Sequence, residues 1–329
     1  MERIGVIGLG SIATRHRRNI RQHFPSACII SMPARGLLPT NQKRVENADQ
    51  LVESVTELMR CNIQCAIVAS PASLHLQHAQ GFIKAGIPVL IEKPLSASIE
   101  DAYELAKLVH ENHTRVAIGY CLRFLPSSAV VKQVINEQRL GQLYNVSIEV
   151  GQYLPSWRPD IDYRQSVSAQ RKCGGGALLE LSHELDLAQW LLGNLTLEHA
   201  ILRSMPELDT DVEDCVDLLL SNSSKVIAHV HLDFLQRTPY RRWRIVGSGG
   251  SLEWDLILNT VTTISLSGKK EILYSAPEWD KNQMYTQQFE AFICSSYNKE
   301  KPLATVDEAL SIIELIEAIK RYPLIQTTN

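Results

Sequence analysis

Short apolar runs alternate with helix-period segments through the first third of the chain. Ile4, Val6 and Ile7 begin the series, and it continues at 27–32, 65–69, 89–91 and 116–120. Brief runs that are apolar on both sides read as parallel strands buried on two faces. Between them, 11–22, 49–59 and 75–85 read as helices. A fourth helix opens on Ser98-Ile99-Glu100-Asp101, a capping-box pattern, and carries Ile99, Ala102, Leu105, Ala106 and Val109 on one face. Alternation of this kind predicts an α/β fold with a parallel sheet. The expected boundaries are 1–122 for this first domain and 123–329 for a second.

The pattern then changes. A helix over 127–139 stops at Gly141, and a strand covers 143–150. A long irregular segment follows at 151–176. A helix is expected to open on Gly174-Gly175-Gly176 and end at Gly193, with Leu178, Leu181, Leu185, Ala188 and Leu192 on one face. Apolar runs at 215–220, 226–235, 243–246, 251–256, 261–266 and 271–273 predict an antiparallel sheet, whose polar face would take His229 and His231. Gly247-Ser248-Gly249-Gly250 joins two of these strands and reads as a hairpin turn, not as a second phosphate loop. A last helix over about 305–321 opens on Thr305-Val306-Asp307-Glu308. Its stripe of Ala309, Ile312, Ile313 and Ile316 is expected to pack back on the first domain.

Composition narrows the class. A chain of 329 residues is long enough for two domains with buried cores. A net charge of −3 argues against non-specific nucleic-acid binding. No apolar run is long enough to span a bilayer, and no signal peptide precedes the first strand. Seven scattered cysteines without a C-x-x-C pair suit reduced thiols in the cytoplasm.

Chemistry concentrates at a few places. Gly8, Gly10 and Ala13 form G-x-G-x-x-A between the first strand and the first helix. The first glycine permits a tight turn, the second lets backbone approach a pyrophosphate, and the small third residue lets helix and strand pack closely. The following helix would aim the N–H groups of Ser11, Ile12 and Ala13 at the phosphates. Arg15-His16-Arg17-Arg18 adds charge that either reaches a phosphate or forms a solvated face. The second strand ends without the Asp or Glu that would hold a ribose 2′-hydroxyl. It has Ser31 and a nearby Arg35 instead, which suits a 2′-phosphate and favours NADP over NAD. Ser70 ends the strand at 65–69. His75 and His78 lie three apart without a neighbouring Cys, Asp or Glu, so no metal is expected. Glu92-Lys93-Pro94 ends the strand at 89–91, where ligands bind in doubly wound sheets. From position alone Lys93 reads either as a surface lysine or as a proton donor to a carbonyl or alkoxide oxygen. In the second half, helical spacing puts Glu180 and Asp186 on either side of His183, opposite the apolar stripe. Such a face either serves proton transfer or simply meets water. The irregular segment combines Trp157, Arg158, Tyr163 and Arg164, and Arg123 opens the second domain. Aromatics with arginines suit a sugar face and an anionic group. Alternatively, Trp157 staples the loop.

Taken in order, Gly8-Leu9-Gly10-Ser11-Ile12-Ala13, Glu92-Lys93-Pro94 and the 174–186 stretch ending His183-Glu184-Leu185-Asp186 resemble the glucose–fructose oxidoreductase and inositol dehydrogenase (Gfo/Idh/MocA) family along essentially the whole chain. The resemblance implies a Rossmann domain and an α/β domain with an open, mainly antiparallel sheet. In the family that sheet commonly forms the interface of a homo-oligomer, a dimer or tetramer. The resemblance also implies NAD(P)-dependent oxidation or reduction of a sugar-like hydroxyl or ketone. It places the family lysine on Lys93, with Glu92 beside it at the cofactor, the family histidine on His183 and the following aspartate on Asp186. Many members carry an aspartate four residues before the histidine. Leu179 stands there, and Glu180 is the nearest carboxylate. The segment 152–164 is similar to a subgroup linked to bacterial surface-sugar synthesis, whose substrates are often nucleotide-activated. The fold also leaves open a non-catalytic NAD(P)-binding regulator, or an epimerase or glycosidase that recycles its cofactor in place.

Overall fold

The computed structural model describes residues 1–36, 44–298 and 304–326. The chain forms two compact units, one of Met1–Tyr120 with Tyr285–Ile313, the other of Cys121–Met284 with Glu314–Asn329. Here the first unit regains chain from beyond residue 284, where the sequence alone suggests one boundary at 122.

The first unit contains β1 (Arg3–Ile7), α1 (Ser11–His23), β2 (Cys28–Met32), β3 (Gln50–Leu51), α2 (Val55–Arg60), β4 (Cys65–Val68), α3 (His75–Lys84), β5 (Val89–Ile91), α4 (Ile99–Asn112) and β6 (Val116–Ile118). Its six strands are all parallel, in the order β3-β2-β1-β4-β5-β6. This is the doubly wound dinucleotide-binding, or Rossmann, arrangement, with the change of direction between β1 and β4. The strands are apolar on both faces, as parallel strands covered on both sides must be. The Ser98 hydroxyl caps α4 by accepting the Asp101 N–H at 3.2 Å.

The second unit contains α5 (Pro126–Asn136), β7 (Leu143–Gly151), α6 (Ala177–Glu180), α7 (His183–Leu192), β8 (Leu195–Ser204), β9 (Cys215–Asn222), β10 (Ile227–Asp233), β11 (Tyr240–Gly247), β12 (Gly250–Asp255), β13 (Thr260–Ser265) and β14 (Lys270–Ser275). Then α8 (Gln283–Asn298) and α9 (Val306–Lys320) follow, and β15 (Leu324–Gln326) closes the chain. The sheet of nine strands runs β14-β13-β12-β11-β7-β10-β9-β8-β15, antiparallel except where β10 meets β7 and β15 meets β8. One face is packed: Val146, Ile148, Val150, Val230, Leu232, Trp243, Ile245 and Trp254 are buried, and α5, α6 and α7 lie against the sheet. On the strands between them, Ser147, His229, Arg242, Arg244 and Glu253 are exposed. This alternation is the mark of a sheet with one dry face. The glycine run at 247–250 is the tight link between β11 and β12. No described helix is long and apolar enough to cross a membrane.

The sequence pattern misses β3, which stands where a helix is expected over 49–59, and β15, as well as β8 and α8. Strand β8 carries a register shift between Leu197 and His199, and such a bulge interrupts the alternation that would have marked it. Helix α8 buries Phe289, Phe292 and Ile293 in the core of the first unit beside Ile4, Val6 and Ile20. Its helical spacing is present in the sequence but sparse between polar residues. Thr305 and Glu308 form a reciprocal capping box at the start of α9: the Thr305 N–H donates to Glu308 Oε2 at 2.9 Å, and the Glu308 N–H to Thr305 Oγ1 at 3.2 Å.

Candidate active site

The first unit gathers its candidates at the carboxyl ends of adjacent strands. Between β1 and α1, Gly8 has φ of +112°, and a Cβ there would collide with the Ala69 carbonyl oxygen, so the turn requires glycine. Gly10 differs. Its φ is −71°, which any residue adopts, and a Cβ placed on it meets nothing within 4 Å. Gly10 therefore leaves open space beside the backbone. The first intrahelical bond runs from the Thr14 N–H to the Gly10 carbonyl, 2.9 Å. The N–H groups of Ser11, Ile12 and Ala13 thus have no helical acceptor, and no acidic side chain lies in the first turn. Ala13 is fully buried beside Gly8, Ile12 is half-buried and Ser11 exposed. Open backbone, free donors and the positive helix end form an anion cradle that fits a pyrophosphate. Accordingly, Gly10→Ala is expected to keep the wild-type melting temperature while weakening NADH and NADPH binding at least tenfold, as read by titration of the purified protein. A variant that bound normally would show that no ligand approaches this face.

Arginine 17 neither reaches for phosphate nor lies on a solvated face. It is buried, donating from Nη1 to the Gly8 carbonyl (3.0 Å), from Nη2 to Thr14 Oγ1 (2.8 Å) and from Nε to the Glu46 carbonyl (2.9 Å). It braces the turn from beneath. Ser31 also departs from expectation. Its side chain is fully buried within β2, so its hydroxyl is not presented to a ribose phosphate. A strand buried on both faces gives no alternation from which to tell the two directions. Arg35 is exposed on the turn after β2, which is closed by the Gly36 N–H on the Pro33 carbonyl at 3.1 Å.

Ser70 follows β4, and Glu92-Lys93-Pro94 follows β5, with a cis peptide between Lys93 and Pro94. Lys93 is half-buried and Glu92 buried. His75 and His78 of α3 are buried beside these loops. His78 Nδ1 lies 2.8 Å from the Ser70 hydroxyl, and burial lowers its pKa to about 4, with His75 adding to the effect. It is a neutral side chain at physiological pH.

The second unit holds Glu180, His183 and Asp186, but not on one continuous helix. The chain breaks at Leu181 and Ser182, between α6 and α7. Glu180 and His183 are half-buried. Asp186 is fully buried and accepts a two-pronged contact from Arg123, Nη2 to Oδ1 at 2.6 Å and Nε to Oδ2 at 3.0 Å. Glu184, also fully buried, takes the same contact from Arg241, at 2.6 and 2.9 Å. The expectation of a polar face with His183 between two carboxylates is thereby corrected. The acidic side chains turn inward because arginines distant in sequence meet them there. It follows that Arg123 has Asp186 as its partner and is itself buried, 4% exposed, rather than offered to a substrate.

In the irregular segment, Trp157 packs edge-on against Phe234, ring centroids 5.3 Å apart, and donates from its indole N–H to the Gln152 carbonyl at 3.2 Å. Tyr163 donates its hydroxyl hydrogen to the Leu208 carbonyl at 3.0 Å. Both aromatics fasten the loop. Arg158 and Arg164 are exposed, the latter paired with Asp162 at 3.1 Å. Glu213 went unnoticed in the sequence. Its buried carboxylate, whose pKa burial raises, accepts the Leu178 N–H at 3.2 Å and so caps α6. On the sheet, Cys215, Asp217 and His231 have potential ligand atoms within 4.8 Å of one another. Both His231 nitrogens already face carboxylates, Asp233 at 3.1 Å and Asp217 at 2.6 Å, and these hydrogen bonds raise its pKa to about 9. That is the bonding of an imidazolium, not of a metal ligand.

Comparison with known proteins agrees with this layout. Residues 2–120 match the family model for the oxidoreductase family with an NAD-binding Rossmann fold, and 129–253 match the Gfo/Idh/MocA C-terminal domain. An uncharacterized oxidoreductase of Synechocystis is 30% identical over 203 residues, 58% of this chain and 54% of that protein. The rhizopine catabolism protein MocA of Rhizobium meliloti is 25% identical over 193 residues, 58% of this chain and 57% of that protein. The chain thus spans little more than half the length of either relative. Among solved structures, the WlbA dehydrogenase of Bordetella pertussis, in complex with NADH and UDP-GlcNAcA, has the same fold, with a TM-score of 0.81 at 20% identity over 97% of this chain and 94% of that one. The two family models together cover more than half of the chain, and with the parallel sheet, the glycine turn and the nine-stranded second sheet they show that it belongs to the Gfo/Idh/MocA family of oxidoreductases.

Proposed function

We propose that the protein is an NAD(P)-dependent dehydrogenase or reductase that transfers a hydride to or from a hydroxyl or ketone of a sugar or nucleotide sugar, in the synthesis of surface-polysaccharide sugars. The observation that carries this reading is the cradle at the start of α1, open on the Gly10 side, with the Lys93 turn at the carboxyl end of β5, separated from β1 in the same sheet by β4 alone. A bound nicotinamide supplies or accepts the hydride. The chain's own residues do the rest. Backbone N–H groups of Ser11, Ile12 and Ala13 bind the pyrophosphate. Arg35, with no carboxylate at the end of β2, favours the 2′-phosphate of NADP over the free hydroxyl of NAD.

Lys93 and His183 give or take the proton at the reacting oxygen, and Glu180 orients His183. The bidentate burial of Asp186 makes it a support for α7 rather than a proton carrier. Exposed Arg158 and Arg164 suit a carboxylate or phosphate on the substrate. The WlbA structure, with its nucleotide-sugar acid, supports this substrate class. We place the enzyme in the cytoplasm, as a dimer or tetramer joined through the open face of the second sheet.

The test is a calorimetric titration of cofactor-stripped protein with NADPH and NADH, followed by initial rates on UDP-N-acetylglucosamine, its uronic acid and glucose 6-phosphate. Tighter NADPH binding and turnover of at least one of these compounds are expected. Preference for NADH would overturn the role of Arg35. Binding of neither dinucleotide by folded protein would overturn the function itself.

A further inference from the structure

We propose that His16 and His75 are positioning residues for Lys93, gripping the chain on either side of it. Lys93 sits between Glu92 and Pro94. On one side, Glu92 Oε1 lies 2.6 Å from His16 Nε2, which reaches it from α1. His16 is 1% exposed and Glu92 7%. Tyr285 meets the His16 ring edge-on, with centroids 6.4 Å apart. On the other side, His75 Nδ1 lies 3.0 Å from the Pro94 carbonyl oxygen and 3.2 Å from that of Leu95. His75 Nε2 lies 2.9 Å from the Ser70 carbonyl oxygen, so one ring joins the turns after β4 and β5. His75 is 1% exposed.

The backbone is shaped for this grip. The Glu92 N–H donates to the Val68 carbonyl at 2.9 Å, and a Cβ on Gly119 would stand 2.7 Å from Glu92 Oε2, so the carboxylate needs glycine beneath it. Burial lowers the pKa of His75, against the carbonyls at both ring nitrogens, which favour the charged form. A hydrogen on Nδ1 faces the carbonyls of Pro94 and Leu95 at once. Neither histidine extends the cofactor cradle. His16 Nε2 meets Glu92, and His75 Nδ1 meets Pro94 and Leu95, the residues that surround the lysine, on a strand end where a displacement of about 1 Å can cost about a hundredfold in rate.

This inference rests on the reading of Lys93 as a proton donor, and its test separates the two. Amide hydrogen exchange is followed by mass spectrometry on the full chain, alongside NADPH titration and turnover of the best substrate found above. In His75→Ala, exchange over 93–98 is expected to quicken at least tenfold while β5 keeps its wild-type protection. Turnover is expected to fall about tenfold to a hundredfold with NADPH affinity retained. His75→Asn, whose amide nitrogen can stand where Nδ1 does, should restore both; His75→Gln, which reaches the Nε2 position, should not. His16→Gln, keeping a donor toward Glu92, should likewise exceed His16→Leu in turnover. Unchanged exchange over 93–98 in His75→Ala, or equal behaviour of the Asn and Gln variants, would overturn the proposal. Should the alanine variant fail to fold, the Asn and Gln pair decides by the same readouts. Failure of the underlying reading shows up separately, as near-wild-type turnover in Lys93→Ala.

Discussion

Replacement of Lys93 by alanine is expected to lower turnover by about 10²–10⁴-fold, the usual worth of one general acid–base group, with NADPH affinity largely retained. The split follows from where the two tasks are done. On the proposed reading the grip on the dinucleotide lies in the β1–α1 turn, in backbone groups that the substitution does not touch. Lys93 stands at the end of β5 and, on the proposed reading, gives a proton to a developing alkoxide. Lys93→Arg sharpens the test. It keeps the positive charge but holds its proton too firmly for transfer, so it should resemble alanine in turnover. The rates are read from NADPH absorbance with substrate in excess. Near-wild-type turnover in Lys93→Ala would remove the lysine from the chemistry, and normal turnover in Lys93→Arg would reduce its role to charge alone.

Much of the first unit is legible in the sequence because its determinants are local. A strand, a glycine turn and a helix follow one another within 23 residues, and a buried parallel strand shows as an unbroken apolar run. Gly8 and Gly10 are readable because each has a stated geometric job. Ser31 is not, since a strand covered on both sides hides which way its residues point. Nothing in the spacing of Arg15-His16-Arg17-Arg18 tells that two of the four are buried, one under the glycine turn and one against Glu92. Their partners lie elsewhere in the chain. The same holds for His75 and His78, whose partners are turns that follow three different strands. His78 faces the Ala34 carbonyl as well as Ser70, and His75 faces Ser70, Pro94 and Leu95. Helical periodicity misreads 177–192 for a related reason. It sorts residues as apolar or polar, and it has no means of knowing that a carboxylate will be met by an arginine from another element.

That misreading leads to the largest expected effect on stability. Asp186→Ala should destabilise the second unit by about 3–5 kcal/mol, because it leaves the Arg123 guanidinium buried with its counter-charge gone. The two side chains are 2% and 0% exposed, so screening by solvent does little to soften the loss. A double replacement, Arg123→Met with Asp186→Leu, removes both charges together and should recover most of the stability, since a buried ion pair is often no better than a well-packed apolar pair. Thermal unfolding and urea titration of the three variants measure this directly. If Asp186 were instead a proton carrier, the single and double variants would be equally inactive, and Asp186→Ala would unfold like the wild type. The structural reading predicts the reverse order in stability. It also predicts that the double variant keeps measurable turnover, because α7 would still present His183 from the same first turn. The carboxylate next to the candidate base thus contributes by holding a helix in place, and the arginine that holds it is the side chain whose composition alone suggested a substrate contact.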